Sequence, residues 1–442
     1  MKTVHLTSLG CPKNFVDSEV ILGLLSESGW QVVEKPEEAS VLLVNTCGFI
    51  QPAVEESIDV ILELAAVKKN SAGTRLVVTG CMVQRYELKL KEEIPEIDLL
   101  VGTEGVRQIH TILEKLDSDA PCPEIHMPER FLMDADIPRI LATPSFRAWM
   151  KITEGCDNRC SYCMIPSIRG SLRSRTIADL KNEARMLEDK GVKELSLIAQ
   201  DLTAFGMEKN RDSQLVLLLR ELLATTTIPW IRLLYLYPTG ISKELLELMA
   251  TNSRIVPYLD IPFQHVSTEV LRRMNRPYTT EILTELIENI RRMLPDAALR
   301  TTFLVGFPGE TEADIDLLAD FLSAMKIDHV GVFAYSNEEG SPSEYFDNQL
   351  SEQEKQDRVR HIHTLQASIS SEIQQKYRGR VEQVIVEGMS RETDLLLEGR
   401  TRFQAPDIDG CVLINDGHAA PGDIVQVEIS ETHTYDLVGA IV

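Results

Sequence analysis

The chain has 442 residues, 43% of them hydrophobic and 26% charged, and a formal net charge of −23 at pH 7. That length exceeds what one hydrophobic core organises, so two or three domains are expected, and the composition excludes fibrous, low-complexity and disulfide-scaffold classes. The acidity argues against a protein built to grip bare nucleic acid, whose footprint is basic, and favours a cationic partner such as a basic protein.

Eight cysteines over this length suit a reducing cytoplasm. The first residues run straight into a strand-like segment without the apolar core of a signal peptide. No apolar run approaches the roughly 18 residues needed to span a bilayer.

Residues 1–117 alternate apolar runs at 4–8, 41–45 and 75–79 with helical patterns at 17–28, 52–69 and 84–93. This predicts a doubly wound parallel α/β domain. Each of the three strands runs into a cysteine beside a glycine: Gly10-Cys11, Cys47-Gly48 and Gly80-Cys81. Ligands of open parallel sheets bind just beyond the C-terminal strand edge, so Cys11, Cys47 and Cys81 should converge there. The glycines would let the backbone approach a bulky cofactor. A single cysteine in a sheet is an ordinary small apolar residue; three at equivalent strand ends favour a three-cysteine cluster site.

Residues 118–141 are rich in proline and acids and read as a linker. From 142 to 372 a longer series follows, with strands expected at 148–153, 194–198, 230–235, 258–261, 299–305 and 330–333 and helices between them. Six such units predict a partial barrel with its chemistry at the C-terminal strand ends. The loop after the first strand carries Cys156, Cys160 and Cys163 in the spacing C-x3-C-x2-C, with no fourth cysteine or histidine nearby. Zinc sites want paired C-x2-C halves or a Cys/His pair, which are lacking, so three inert cysteines are the remaining plain reading. Cysteine thiolates hold four-iron clusters, one per iron, and three of them leave one iron open to a small molecule.

Other positions carry weaker signals. Val305-Gly306-Phe307-Pro308-Gly309-Glu310 follows a strand, as do Gln200 and Asp201; each is either a cofactor-facing loop or a plain polar turn. Arg169, Arg173 and Arg175 form either a carboxylate-binding set or a solvated basic turn. Met164 reads as core filler, and Cys122 and Cys411 as incidental. A polar helix is expected at 353–377, then short strands at 381–387, 394–399, 411–414 and 424–429 that predict a small antiparallel β-barrel over 375–441.

The Cys156 loop resembles the cluster loop of the radical S-adenosylmethionine (SAM) superfamily. The resemblance implies that the open iron chelates the amino and carboxylate groups of SAM and that Tyr162 sits beside the adenine. With both triplets placed, the whole chain is similar to the methylthiotransferase family: a cluster domain (1–117), a linker (118–141), a radical SAM core (142–372) and a TRAM barrel (375–441). The family has a tRNA-modifying branch and one that modifies a ribosomal protein. Leu9-Gly10-Cys11-Pro12-Lys13-Asn14, the stretch from Met164 to Gly170, that from Tyr258 to His265, and Arg402-Phe403-Gln404-Ala405-Pro406 resemble the second. The tRNA branch typically has Gly-Cys-Gln-Met-Asn in place of the first.

This resemblance implies β-methylthiolation of one aspartate of small-subunit ribosomal protein twelve, free or within the ribosome. It implies two [4Fe–4S] clusters, on Cys156/Cys160/Cys163 and on Cys11/Cys47/Cys81, and two SAM molecules, one a source of the 5′-deoxyadenosyl radical and one a methyl donor. Gln200, Gly306, Pro308 and Glu310 become candidates for SAM contacts. Asp201, Arg169, Arg173 and Arg175 become candidates for catalysis or substrate positioning. A flavodoxin or ferredoxin would supply electrons. The alternatives are a tRNA methylthiotransferase acting on an anticodon-loop adenosine, and an iron–sulfur sensor or assembly protein. Residues 376–442 carry six Lys/Arg against twelve Asp/Glu, a net −6, which favours a protein substrate over RNA.

Overall fold

The computed structural model describes residues 2–71, 73–116 and 123–442. Its first sheet has six parallel strands, β1 (Thr3–Ser8), β2 (Gln31–Val32), β3 (Val41–Thr46), β4 (Arg75–Gly80), β5 (Leu99–Val101) and β6 (Ile125–His126), in the order β2-β1-β3-β4-β5-β6. All six residues of β3 are buried because helices cover both faces. Val41 and Leu43 enter a core shared with helix α1 (Pro12–Glu27), while Leu42 and Val44 enter one shared with helix α2 (Gln51–Asn70). α1 starts five residues before the expected Asp17, because Pro12 is preorganised for the first helical turn. The helix expected at 84–93 is broken into α3 (Cys81–Tyr86) and a short segment at Lys89–Glu93, with Glu87 between them at φ 49°.

Residues 118–122 of the expected linker, Cys122 among them, lie outside the described residues. The rest of that stretch is not a loose connector. β6 joins the sheet edge, Met133 and Ala135 are buried, and Arg139 bridges Glu19 (2.5 Å) of the first domain and Glu183 (2.7 Å) of the second. Proline and acid content gave no sign of these ties, which depend on partners distant in sequence.

The second body is an open barrel of six parallel strands. β7 (Arg147–Lys151) leads into a two-residue ribbon, β8 (Thr153–Glu154) with β9 (Arg173–Ser174). Then come β10 (Glu194–Ile198), β11 (Trp230–Leu233), β12 (Ile255–Asp260), β13 (Ala298–Val305) and β14 (His329–Ala334), in the order β14-β13-β12-β11-β10-β7. A long helix, Glu352–Gln374, opens on a Ser351/Glu354 capping box and leads to the third body. There β15 (Val381–Met389), β16 (Leu397–Thr401), β17 (Val412–Asp416), β18 (Ile424–Thr432) and β19 (Leu437–Ile441) close a barrel in the order β15-β16-β17-β19-β18. It is antiparallel as expected except where β17 and β19 run parallel.

This small barrel docks on the N-terminal strand ends of the large one. Arg400 pairs with Glu194 (2.6 Å), which also pairs with Arg232 (2.6 Å). Tyr258 donates to Asp409 (2.7 Å), and His329 contacts the Phe403 carbonyl (2.9 Å). The C-terminal strand ends stay clear for the first domain and for chemistry.

Candidate active site

β1, β3 and β4 end on one edge of the first sheet, and that edge faces the C-terminal mouth of the large barrel. Cys11 occupies the N-cap of α1 in an extended conformation with no side-chain cap, Cys47 follows β3, and Cys81 opens α3. Their glycines serve the packing of these loops on one another, where cofactor approach was expected. Gly10 has φ +88°, and a Cβ on it would lie 2.8 Å from Cys47 Cβ; one on Gly48 would lie 2.7 Å from Met82 Cα.

The second cysteine set sits on the loop between β8 and β9. Cys156 N–H donates to Gly170 O (3.1 Å), Ser161 N–H to Met274 O (3.0 Å) and Ser161 Oγ to Arg273 O (2.8 Å), so the loop is tied at both ends. All six cysteines line one cavity of about 360 Å³.

The donor set suits iron–sulfur clusters. Burial pushes the thiols of Cys81 and Cys156 up to about 11 and that of Cys163 up to about 12, and it raises Cys47 as well. Thiols so desolvated ionise when a metal displaces the proton. Among the described residues no three His, Cys, Asp or Glu side chains converge tightly enough to share a single metal ion. Sulfurs around a polynuclear cluster bind different irons and need not do so.

Tyr162, Gln200, Asp201 and Arg169 also line the cavity. Gln200 donates to Glu154 (3.1 Å), and its buried Oε1 has no partner among the described residues. Asp201 accepts from Thr203 N–H (3.0 Å), Thr203 Oγ1 (2.6 Å) and Asn158 Nδ2 (2.7 Å), which pins the cysteine loop to the turn after β10. Arg169 is not open to a SAM carboxylate: it reaches Asp17 (2.7 Å), Glu154 (3.3 Å), Asn14 Oδ1 (3.2 Å) and Cys81 Sγ (3.3 Å). It stands beside the first-domain cysteines.

Five candidates from the sequence lie outside the cavity lining. Arg173 pairs with Glu104 (2.7 Å), and Arg175 is buried against Asp179 (2.7 Å) and Glu183; both hold the fold. Glu310 accepts from Gly306 N–H (2.8 Å) and pairs with Arg358 (2.6 Å), stabilising its own turn. Gly306 abuts helix Glu352–Gln374, where an added Cβ would meet Lys355 Cγ at 2.5 Å, and Pro308 is buried in the same turn. Met164 packs on Cys81 and Ile168 as core filler, and Cys411 lies in the small barrel.

The cavity adds residues not picked out from the sequence, among them Lys13, Asn158, Tyr235, Tyr237, Gln264 and Arg276. Tyr235 and Gln264, at φ 62° and 70°, are left-handed non-glycine residues just past β11 and β12, a strain of about 1–3 kcal/mol each that gathers at functional sites. The available signal was position: each follows a barrel strand.

An open six-stranded parallel barrel with a three-cysteine loop after its first strand defines an enzyme of the radical SAM class. Three family models match in series: "Uncharacterized protein family UPF0004" at residues 3–102, the radical SAM superfamily at 150–322 and the TRAM domain at 379–442. A protein of Desulfotalea psychrophila named "Ribosomal protein uS12 methylthiotransferase RimO" is 56% identical over 438 residues, 99% of each chain. Proteins of the same name from Trichlorobacter lovleyi and Syntrophus aciditrophicus are each 46% identical, covering 99% and 100% of this chain and 98% of their own. The chain belongs to the ribosomal protein uS12 methylthiotransferase family. Among solved structures, the radical SAM methyltransferase TsrM from Kitasatospora setae matches with TM-score 0.54 at 17% identity, over 75% of this chain and 73% of that one, a likeness of fold.

Proposed function

We propose that this enzyme β-methylthiolates an aspartate of ribosomal protein uS12 by radical SAM chemistry, with one [4Fe–4S] cluster on Cys156, Cys160 and Cys163 and a second on Cys11, Cys47 and Cys81. The observation that carries the residue assignment is the meeting of six thiols, three from each of two domains, around one cavity. Bound there, the clusters and SAM supply the electron, the 5′-deoxyadenosyl radical and the sulfur, chemistry that no side chain offers at an unactivated β-carbon.

The chain's own residues position and shield. Gln200 offers its unpartnered Oε1 to a donor on SAM, and Tyr162 offers its ring at the cavity wall. Asp201 orients the cysteine loop through Asn158. Phe49, Ile165, Leu236 and Pro262 give the cavity an apolar wall that keeps water from a radical.

A protein substrate accords with the small barrel. Three of its six cations are committed inward, Arg400 to Glu194, Arg402 to the Ser253 carbonyl and Lys376 to Asp328, which leaves Arg378, Arg380 and Arg391 on the surface. An RNA-binding face would keep such groups for phosphates. On this reading a flavodoxin or ferredoxin delivers the electron and the enzyme works in the cytoplasm, on uS12 free or in the ribosome. Among the described residues no helix is long and apolar enough to cross a membrane.

The test is anaerobic reconstitution with SAM, reductant and either uS12 or tRNA, followed by mass spectrometry. A methylthio group on uS12 is expected; one on tRNA alone overturns the reading. Replacing Cys11, Cys47 and Cys81 with alanine should halve bound iron and abolish product, and unchanged iron would overturn the second-cluster assignment.

A further inference from the structure

Three cationic side chains line the cavity, and their surroundings differ. Arg169 is matched by Asp17 and Glu154 and stands against Cys81. Arg276, 7% exposed and also without a carboxylate among the described residues, lies on the Cys160 side over the rings of Tyr237 (4.9 Å) and Tyr278 (5.7 Å), with Pro262 O at 3.4 Å. Lys13, in the first turn of α1 two residues past Cys11, crosses the domain junction. Its Nζ lies 3.2 Å from Ala199 O, just past β10, and 3.5 Å from the centroid of the Tyr235 ring, just past β11.

Lys13 is only 9% exposed, yet no carboxylate among the described residues comes within ion-pair distance of it. An ammonium has three donors, and here one carbonyl and one ring face meet them. A buried cation without a counter-charge is costly to hold unless something else supplies the charge. Arg169 stands against Cys81, so the first-domain cysteine set has a cation beside it. The Cys156 loop, where a chelated SAM would present its carboxylate, has a cation of its own in Arg276 on the Cys160 side.

We propose that Lys13 is the specificity-determining residue that binds the side-chain carboxylate of the substrate aspartate; this rests on the function proposed above. The carboxylate is bonded directly to the β-carbon that must lie between the two cysteine sets. A charge-assisted hydrogen bond to one of its oxygens fixes that carbon two bonds from the gripped atom. Lysine suits the task, being a compact charge on a flexible stem that does not require one carboxylate orientation. The same contact favours aspartate over asparagine, whose neutral amide brings the ammonium no counter-charge.

The experiment compares reconstituted wild type, Lys13→Met and Lys13→Arg in anaerobic binding to two uS12 peptides, one with the target aspartate and one with asparagine there. Iron content and methylthio product are measured alongside. Lys13→Met should bind the aspartate peptide on the order of 100-fold more weakly than wild type does. The asparagine peptide should bind the two proteins within about twofold of each other. Iron content should be unchanged, and Lys13→Arg should recover part of the preference for aspartate. Equal weakening toward both peptides, or loss of iron from Lys13→Met, overturns the proposal. If wild type binds both peptides alike and modifies only tRNA, the function reading fails and this one falls with it. If wild type modifies the aspartate peptide and Lys13→Met still prefers it, only the Lys13 assignment fails.

Discussion

The two ends of the central barrel are built from the same six strands and could hardly differ more. At the N-terminal end every strand meets the small barrel with a matched partner. Arg147 grips Asp407 through two bonds of 3.0 Å, Glu194 lies between Arg232 and Arg400, and Tyr258 and Arg300 face Asp409. At the C-terminal end polar groups are left open. Among the described residues Gln200 Oε1 has no partner and Lys13 no carboxylate, and Tyr235 and Gln264 hold a left-handed backbone. Composition does not separate these ends, since both are rich in charge. Charge pairing does: the closed network of ion pairs marks the scaffold, and the buried cation without a carboxylate marks the chemistry.

Removing the centre of the closed network is the strongest way to break this contrast. Glu194 is fully buried, and Glu194→Ala leaves Arg232 and Arg400 without their shared carboxylate. The expected cost is about 3–5 kcal/mol. It should show as earlier denaturant unfolding and as proteolytic release of a fragment near 379–442. Because the cavity lies at the other end, the folded fraction should keep wild-type iron. Resistance equal to wild type would mean that the docking does not rest on this network.

Legibility in the sequence followed distance along the chain. The spacing of Cys156, Cys160 and Cys163 is contiguous and was readable directly. Cys11, Cys47 and Cys81 were readable only through the rule that places ligands at strand ends, and the structure brings them to the same cavity. The α/β, barrel and β-barrel order was legible because each body repeats its own hydrophobic period. Lys13 was not, because its significance lies in Ala199 and Tyr235, 186 and more residues away. Arg173 and Arg175 were misassigned for the same reason: Glu104 and Glu183, which engage them, carry no local signature. β6, two residues inside a proline-rich stretch, is too short for any periodicity to betray it.

A gentler perturbation of the same network uses acid. Burial alone would raise the Glu194 carboxyl, but Arg400 and Arg232 outweigh it and hold it at about 2, against 4.5 for an ordinary glutamate. A depressed folded-state value stabilises the fold above the ordinary pKa, and that stability is lost as pH falls from about 4.5 through about 2. The contribution is about 3 kcal/mol. The stability gap between wild type and Glu194→Gln should therefore narrow across that window and stay constant above it. Comparing the two at each pH cancels any acid loss of iron common to both. A gap independent of pH would place the docking energy elsewhere.

The smallest effect sharpens the comparison most. Tyr258 donates to Asp409 Oδ2 at 2.7 Å, and the same oxygen also accepts from Ala405 N–H at 2.8 Å. Tyr258→Phe removes one bond without orphaning the carboxylate, so the loss should be about 1 kcal/mol, read as a shift in denaturant midpoint. Tyr258 lies on β12, the strand that leads toward Pro262 and Gln264 in the cavity wall. If the ends are independent, kcat/KM on uS12 should stay within about twofold of wild type, because distant sites without shared partners act additively. A tenfold fall with iron unchanged would instead mean that β12 transmits the docking of the small barrel to the cavity, and the division between scaffold and chemistry would have to be redrawn along the strand.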